Sequence, residues 1–250
     1  MKHSGMNIGV DAVVSHASIV SFGGGTNSTA MIIEMIRRGE QIDRILFADT
    51  GGERPDTYAF LSLFSEWVKD RIGIGIEIVR DKKTLEQDCL TRNALPAVVY
   101  GYKTCSLRFK TRPQVKALRP LKGQNITKLI GFDAGEPYRA KDVPGNRYPL
   151  IEWGITRDMC VNIIKAEGLP LPGKSSCFFC PNSKEHEILA LPADLQDRAI
   201  AMERNATNLT KMVGLGRTWK WEDLIMADRN QMRFEFRGCT VDIPCECYDG

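Results

Sequence analysis

The first third of the chain alternates short apolar runs with longer amphipathic ones. Ala17–Ser21 (ASIVS) reads as a buried strand, and Ser28–Arg38 carries apolar residues at helical spacing until Gly39 stops it. Arg44–Ala48 (RILFA) repeats the strand pattern and is broken by Asp49-Thr50-Gly51-Gly52. Pro55 then opens a helix with Phe60, Leu61, Phe64, Trp67 and Val68 on one face, and Ile76–Arg80 reads as a third strand. Strands alternating with helices imply right-handed crossovers and a parallel sheet, whose ligand site lies at the carboxyl ends of the strands. The glycine runs at Gly23 and Gly51 both fall at that edge.

Beyond Asp81 the pattern predicts a helix near Thr84–Arg92, a basic loop and helix over Lys103–Leu118, and a strand at Ile126–Ile130. Gly131–Arg147 holds three glycines and two prolines and reads as a long loop, the kind that often serves as a binding lid. Thr156 is expected to cap a helix running to Gly168, and Ser183–Asn230 to be mostly helical. The expectation is an α/β fold: a doubly wound, mostly parallel sheet of about five strands flanked by helices. A nucleotide-binding domain would span residues 1–181, with a mainly helical C-terminal extension, 182–250, packed on it. The chain's 250 residues, 43% of them hydrophobic, are enough for one such domain. Its net charge of +3, from 34 basic and 31 acidic residues, is small, so an anionic partner has to be read from local clusters. With no apolar run suited to export or membrane insertion, a cytoplasmic protein without a membrane partner is expected.

A glycine-rich loop between a buried strand and a helix presents unpaired backbone N–H groups at the positive end of the helix dipole, and lets phosphate oxygens come close. Ser21-Phe22-Gly23-Gly24-Gly25-Thr26-Asn27-Ser28 has this character. The alternative is a glycine turn that only packs the helix on the sheet. The run lacks the Gly-Lys-Ser/Thr of the Walker pattern and is not G-x-G-x-x-G. If it cradles phosphate, Gly24→Val should abolish nucleotide binding while leaving the fold intact. Lys103, Arg108, Lys110 and Arg112 cluster further on, with Arg139 and Lys141 in the long loop. They either converge on a polyanion above the strand ends or form a solvated face.

The loop resembles the Ser-Gly-Gly-x-Asp-Ser signature of the PP-loop ATP pyrophosphatases, in the variant found in phosphoadenosine-phosphosulfate reductase-like proteins. Asn27 stands where that family has aspartate. Asp49-Thr-Gly-Gly-Glu-Arg-Pro-Asp-Thr57 is similar to the family's Asp-Thr-Gly-x-x-x-Pro-Glu-Thr. Gly131-Phe-Asp-Ala-Gly-Glu-Pro-Tyr-Arg139 resembles its Gly-x-Arg-x-x-Glu-Ser-x-x-Arg, and Pro149-Leu-Ile-Glu-Trp153 its Pro-Leu-x-x-Trp. These four motifs fall in order across roughly residues 17–181, a far more restrictive match than any one of them. The resemblance implies ATP with Mg²⁺, held by Ser21, Phe22, Gly23, Gly24, Gly25, Thr26, Asn27, Ser28, Asp49, Thr50, Gly51 and Gly131. Asn27, Ser28, Arg108, Lys110 and Arg139 are the implied catalytic residues. Asp133 occupies the place of an arginine that sulfonucleotide reductases use on a sulfate-like group, and a carboxylate there argues against a reductase.

Cys177-x-x-Cys180 is a spacing that serves zinc, an iron–sulfur cluster or a redox dithiol. Cys105 lies where the iron–sulfur sulfonucleotide reductases carry paired cysteines, so Cys105, Cys177 and Cys180 are the implied metal ligands, for a 4Fe-4S cluster or for zinc. A fourth ligand could come from Cys239, Cys245, Cys247 or a substrate atom. Cys89 and Cys160 sit in apolar helical patterns and read as core. The leading function is an ATP pyrophosphatase that activates a substrate for sulfur transfer, since the resemblance extends to enzymes of DNA phosphorothioation and RNA thio-modification. Its implied partners are an adenine nucleotide, a cysteine desulfurase or other sulfur-donor protein, and nucleic acid. The alternatives are a thiol-dependent adenylylsulfate or phosphoadenylylsulfate reductase and a non-catalytic nucleotide- and metal-binding subunit.

Overall fold

The computed structural model describes residues 16–96, 98–99, 102–209 and 212–233. Strand β1 (His16–Phe22), helix α1 (Thr26–Arg37), β2 (Arg44–Asp49), α2 (Pro55–Ile72) and β3 (Ile76–Arg80) follow one another as the apolar pattern predicts. After α3 (Leu85–Thr91), two-residue strands β4 (Val98–Val99) and β5 (Tyr102–Lys103) pair antiparallel. A short α4 (Thr104–Ser106), a π-helical turn over Leu107–Thr111 and α5 (Arg112–Ala117) run on without a break. Next come β6 (Asn125–Ile130), β7 (Asn146–Arg147), α6 (Pro149–Glu152) and α7 (Arg157–Ala166), and finally α8 (Glu185–Leu189), α9 (Ala193–Asn205) and α10 (Trp221–Arg233).

The main sheet has five strands in the order β3-β2-β1-β6-β7, every pairing parallel. Period-two alternation divides its side chains between two faces. Val20, Phe22, Ile45, Phe47 and Leu129 pack against α1, α2 and α7, which bury Met31, Ile33, Phe64 and Ile164 completely. On the other face a smaller cluster buries Ala17, Ile19 and Leu46 under Leu118, with Ala117, Leu121, Val79 and Ile126 around it. A further apolar cluster joins Cys177, Phe178 and Phe179 to α3, α9 and α10 through Cys89, Ile200, Trp221 and Ile225. None of the described helices is long and apolar enough to cross a membrane.

Two differences from the sequence expectation have local causes. The segment 131–147 is not structureless: it forms a 3-10 turn at Pro137–Arg139 and supplies β7, whose two residues are too few for an alternating pattern to show. Thr156 precedes α7 as its N-cap by backbone geometry, yet its hydroxyl makes no capping bond.

Candidate nucleotide site

At the carboxyl end of β1 the chain turns through Gly24, at φ +71°, and enters α1 with Gly25 as an N-cap that has no side chain to offer. Among the described residues no acceptor takes the amides of Thr26, Asn27 and Ser28, the groups a helix N-terminus leaves open. Ser28 Oγ accepts from the Gly23 amide at 3.3 Å and donates to the Gly25 carbonyl at 3.1 Å, and Thr29 Oγ1 donates to the same carbonyl at 2.9 Å. That carbonyl is thereby held toward the helix, and the amides are left facing outward. Gly131 backs the loop so closely that a Cβ there would lie 2.9 Å from the Ser28 nitrogen.

The outward amides face a cavity of about 270 Å³ lined by Gly23, Thr26, Asn27, Ser28, Gly131, Arg139, Arg157 and Ser175. A second cavity of about 290 Å³, lined by Phe22, Phe47, Ala48, Lys110, Thr111 and Gln114, shares Ser21, Gly23 and Ile130 with the first. Gly24 lines neither. A Cβ there would meet the Phe47 ring and the Thr57 methyl at 3.2 Å on a left-handed backbone, so Gly24→Val would strain the loop itself, contrary to the expectation of an intact fold.

Asn27 is the hub of the first cavity. Its Nδ2 donates to Asp133 Oδ2 at 2.7 Å and to Glu136 Oε2 at 3.5 Å, and its Oδ1 accepts from Arg157 Nη1 at 2.7 Å. Asp133 is 4% exposed and also accepts from the Gly135 amide at 2.8 Å. Arg139 pairs with Glu136 at 2.7 Å and lies 4.2 Å over the Phe132 ring. The sequence reading missed Arg157. It is the first residue of α7, where the helix dipole disfavours a cation, and a basic residue at that position, ahead of Asp158, is the one local signal that could have drawn attention to it.

The second glycine turn, after β2, is closed on itself. Asp49 Oδ1 accepts from the Gly51 amide at 2.7 Å and from Tyr58 Oη at 2.8 Å. Burial, and then the bond to Asp49, push the Tyr58 phenol well above its ordinary pKa. Thr50 donates to Glu53 Oε1 at 3.1 Å, and its carbonyl takes the Leu85 amide at 2.8 Å. The Gly52 carbonyl accepts from the Phe178 amide at 2.8 Å, and Glu53 bridges to Cys177, so this turn is stitched to the cysteine loop. Asp49, Thr50 and Gly51 line neither cavity.

The basic segment separates by residue. The π-helical turn buries Phe109 and sends Lys110 to the second cavity, where its Nζ lies 3.2 Å from the fully buried Glu53 carboxylate. Burial alone would lower the Lys110 pKa, but Glu53 and the neighbouring Cys177 raise it on balance, so the ammonium stays charged. Arg108 turns the other way, to the buried Asp88 at 2.8 Å, and lines neither cavity. Lys141 lines neither cavity as well.

Cys180 lies close enough to both Cys105 and Cys177 to raise their thiols. Cys177 is buried with its Sγ 3.1 Å from Thr50 Oγ1. Burial and then Glu53 push its thiol up to about 12, with Lys110 and the Thr50 contact opposing. Burial, and then Cys180, raise Cys105. All five cysteines with described side chains are free thiols. Among the described residues no three His, Cys, Asp or Glu side chains gather closely enough to hold a metal ion. Cys239, Cys245 and Cys247 lie outside the described residues.

No family model matches the chain, and no curated protein does. Among solved structures it is similar to the phosphoadenylyl-sulfate reductase of Candida auris in a phosphate complex, at 16% identity and a TM-score of 0.40 over 65% of this chain and 77% of that one. It is also similar to the U34-tRNA thiolase NcsA of Methanococcus maripaludis with its [4Fe-4S] cluster, at 16% identity and a TM-score of 0.41 over 91% of this chain and 74% of that one.

Proposed function

We propose that this chain is a PP-loop ATP pyrophosphatase that adenylylates an acceptor for sulfur transfer. The observation that carries the reading is the set of uncommitted amides at Thr26, Asn27 and Ser28, opening on a cavity rimmed by Arg139 and Arg157. Amides at a helix N-terminus bind phosphate oxygens without a side-chain charge. The two guanidiniums, now resting on Glu136 and Asn27, would turn to the polyphosphate and stabilise the departing pyrophosphate. The adjoining cavity beside Phe22, Phe47 and Ala48 would take the nucleoside, with the Lys110 ammonium at its wall.

In this reading an acceptor oxygen attacks the α-phosphorus, the bond to the bridging α–β oxygen breaks, and pyrophosphate leaves with the electron pair. The persulfide of a donor such as a cysteine desulfurase would then displace AMP from the activated acceptor, joining the two by a disulfide that an external thiol reductant would cleave to free the thiolated acceptor. Residues 1–181 would hold the nucleotide and 182–250 would form the helical extension packed on them. Asp133 weighs against the reductase alternative, because by the motif resemblance it replaces an arginine that sulfonucleotide reductases use on a sulfate-like group, and its buried carboxylate is bonded to Asn27.

The test is incubation with ATP and Mg²⁺, following nucleotide binding by calorimetry and products by chromatography. Binding, with AMP and pyrophosphate formed in equal amounts, is the expected result. Release of ADP and phosphate, or no nucleotide binding, would sink the proposal. Sulfite released from adenylylsulfate in the presence of a thiol would move the chain to the reductase class.

A further inference from the structure

The face of the sheet covered by α5 carries a band of cations, most of which have no acidic partner. Of the arginines whose side chains are described, Arg112 and Arg119 are the two without an acidic or polar partner; the others are engaged, from Arg37 with Glu167 to Arg229 with Asp197. Lys116 and Lys122 are exposed and likewise unpaired, and Lys128 is half-buried and unpaired. Arg112 and Lys116 fall at i and i+4 on one face of α5, and Arg119 opens the 3-10 turn Arg119–Leu121 that follows it. A groove of about 420 Å³ holds all three beside Arg80, with Asp81 as its one carboxylate.

Val115 and Arg119 also line a second groove, of about 700 Å³, where Lys122 and Lys128 stand beside Val143 and Asn146 and no carboxylate is present. Both grooves run into the nucleoside cavity. Thr111 is common to it and the first groove, Lys128 and Asn146 to it and the second. The cause is the brevity of α5, six residues long, which covers Leu46 and Ile19 but leaves a trough on each side. A solvated helix face would be expected to interleave signs as the rest of this surface does. Here five unpaired cations, with Arg80 beside them at 4.0 Å from Asp49, meet Asp81 as the one acid lining the two grooves.

We propose that this band binds the sugar-phosphate backbone of a nucleic acid and brings one nucleotide of it to the edge of the nucleoside cavity, beside the bound ATP. Exposed Leu107, Val115 and Val143 offer apolar contact between the cations, and no aromatic residue lines either groove. Such a surface tracks phosphates and does not read bases, so its affinity should depend on salt and only weakly on sequence. That the bound strand is the sulfur acceptor rests on the pyrophosphatase reading; that it binds does not.

The test is fluorescence anisotropy of the full chain with labelled 20-nucleotide single strands and 20-base-pair duplexes, of both RNA and DNA, over a range of KCl. Binding that weakens linearly in log–log salt is expected for at least one of them. R112E/K116E/R119E should weaken it by roughly 30-fold or more and flatten the slope by about 2–3, one unit or slightly less per lost phosphate contact. K69E/K165E/K220E, an equal charge change at exposed positions elsewhere, should weaken it less than about threefold. Melting temperature and ATP affinity should stay unchanged in the first variant, because none of its three residues lines the cavities at the loop. Equal losses in both variants, binding indifferent to salt, or tighter binding to phosphatidylserine vesicles than to any oligonucleotide would each overturn the proposal. Oligonucleotide binding without ATP cleavage would leave the band standing and remove the pyrophosphatase reading; ATP cleavage without oligonucleotide binding would do the reverse.

Discussion

The two glycine turns stand side by side at the carboxyl edge of one sheet and do opposite things. After β1, the amides of Thr26, Asn27 and Ser28 are left without acceptors and face a cavity. After β2, Asp49, Thr50, Gly51 and Gly52 commit their polar groups to Tyr58, Glu53, Leu85 and Phe178, and line no part of it. A Cβ on Gly23 would meet nothing nearer than Ser28 Oγ at 3.8 Å, whereas one on Gly51 would lie 2.3 Å from the Thr84 methyl. Position at the strand ends is thus shared by a turn that can bind and a turn that supports. The deciding difference is whether the backbone groups are already satisfied within the protein.

Substitutions at the two turns should therefore fail in different ways. Gly51→Val combines φ +72° with direct overlap on Thr84, and we expect a loss of about 4 kcal/mol in a denaturant titration, strain and overpacking together. A loss below about 1 kcal/mol would show that the second turn is not a fixed support. Lys110→Ala leaves the Glu53 carboxylate, 0% exposed, without its partner. About 2 kcal/mol should be lost, below the usual cost of breaking a buried pair because Lys110 keeps 34% exposure. The double variant Glu53→Gln with Lys110→Met should recover most of that loss, and full additivity of the two single changes would argue that the pair does not act as a unit.

Gly23→Val should instead change stability by less than about 1 kcal/mol and reduce ATP affinity at least tenfold, about 1.4 kcal/mol, by calorimetry. Equal affinity would break the distinction between the turns. The smallest effect concerns the thiol that joins the second turn to the cysteine loop. Cys177 is held up to about 12, so the native state keeps a proton that the unfolded chain loses near pH 9. Its contribution to stability is whole below pH 9 and declines as pH rises toward 12. Iodoacetamide at pH 8 should label the half-exposed Cys180 first and Cys177 at least tenfold more slowly, read by peptide mass spectrometry.

Much of the frame could be read from residue order, because the signals that set it are local. The apolar alternation of β1, β2, β3 and β6 placed four strands, and Gly23–Gly25 followed by the α1 pattern placed the loop. Asn27 and Arg139 were singled out in the sequence and line the same cavity. Arg108 and Lys110 were singled out together, being two residues apart, and the π-helical turn sends them to Asp88 and Glu53 on different sides.

What the sequence determined by itself is therefore the parallel α/β frame and the glycine loop, since periodicity and backbone freedom are properties of neighbours along the chain. Only the tertiary structure decided which polar groups remain unsatisfied. Arg157 reaches Asn27 across 130 positions, Phe178 closes the turn at Gly52, and short α5 leaves Arg112 and Arg119 bare beside two troughs. Hydrogen-bond and charge partners are chosen in space, so their absence, which is what makes a binding surface, cannot be seen until the chain has folded.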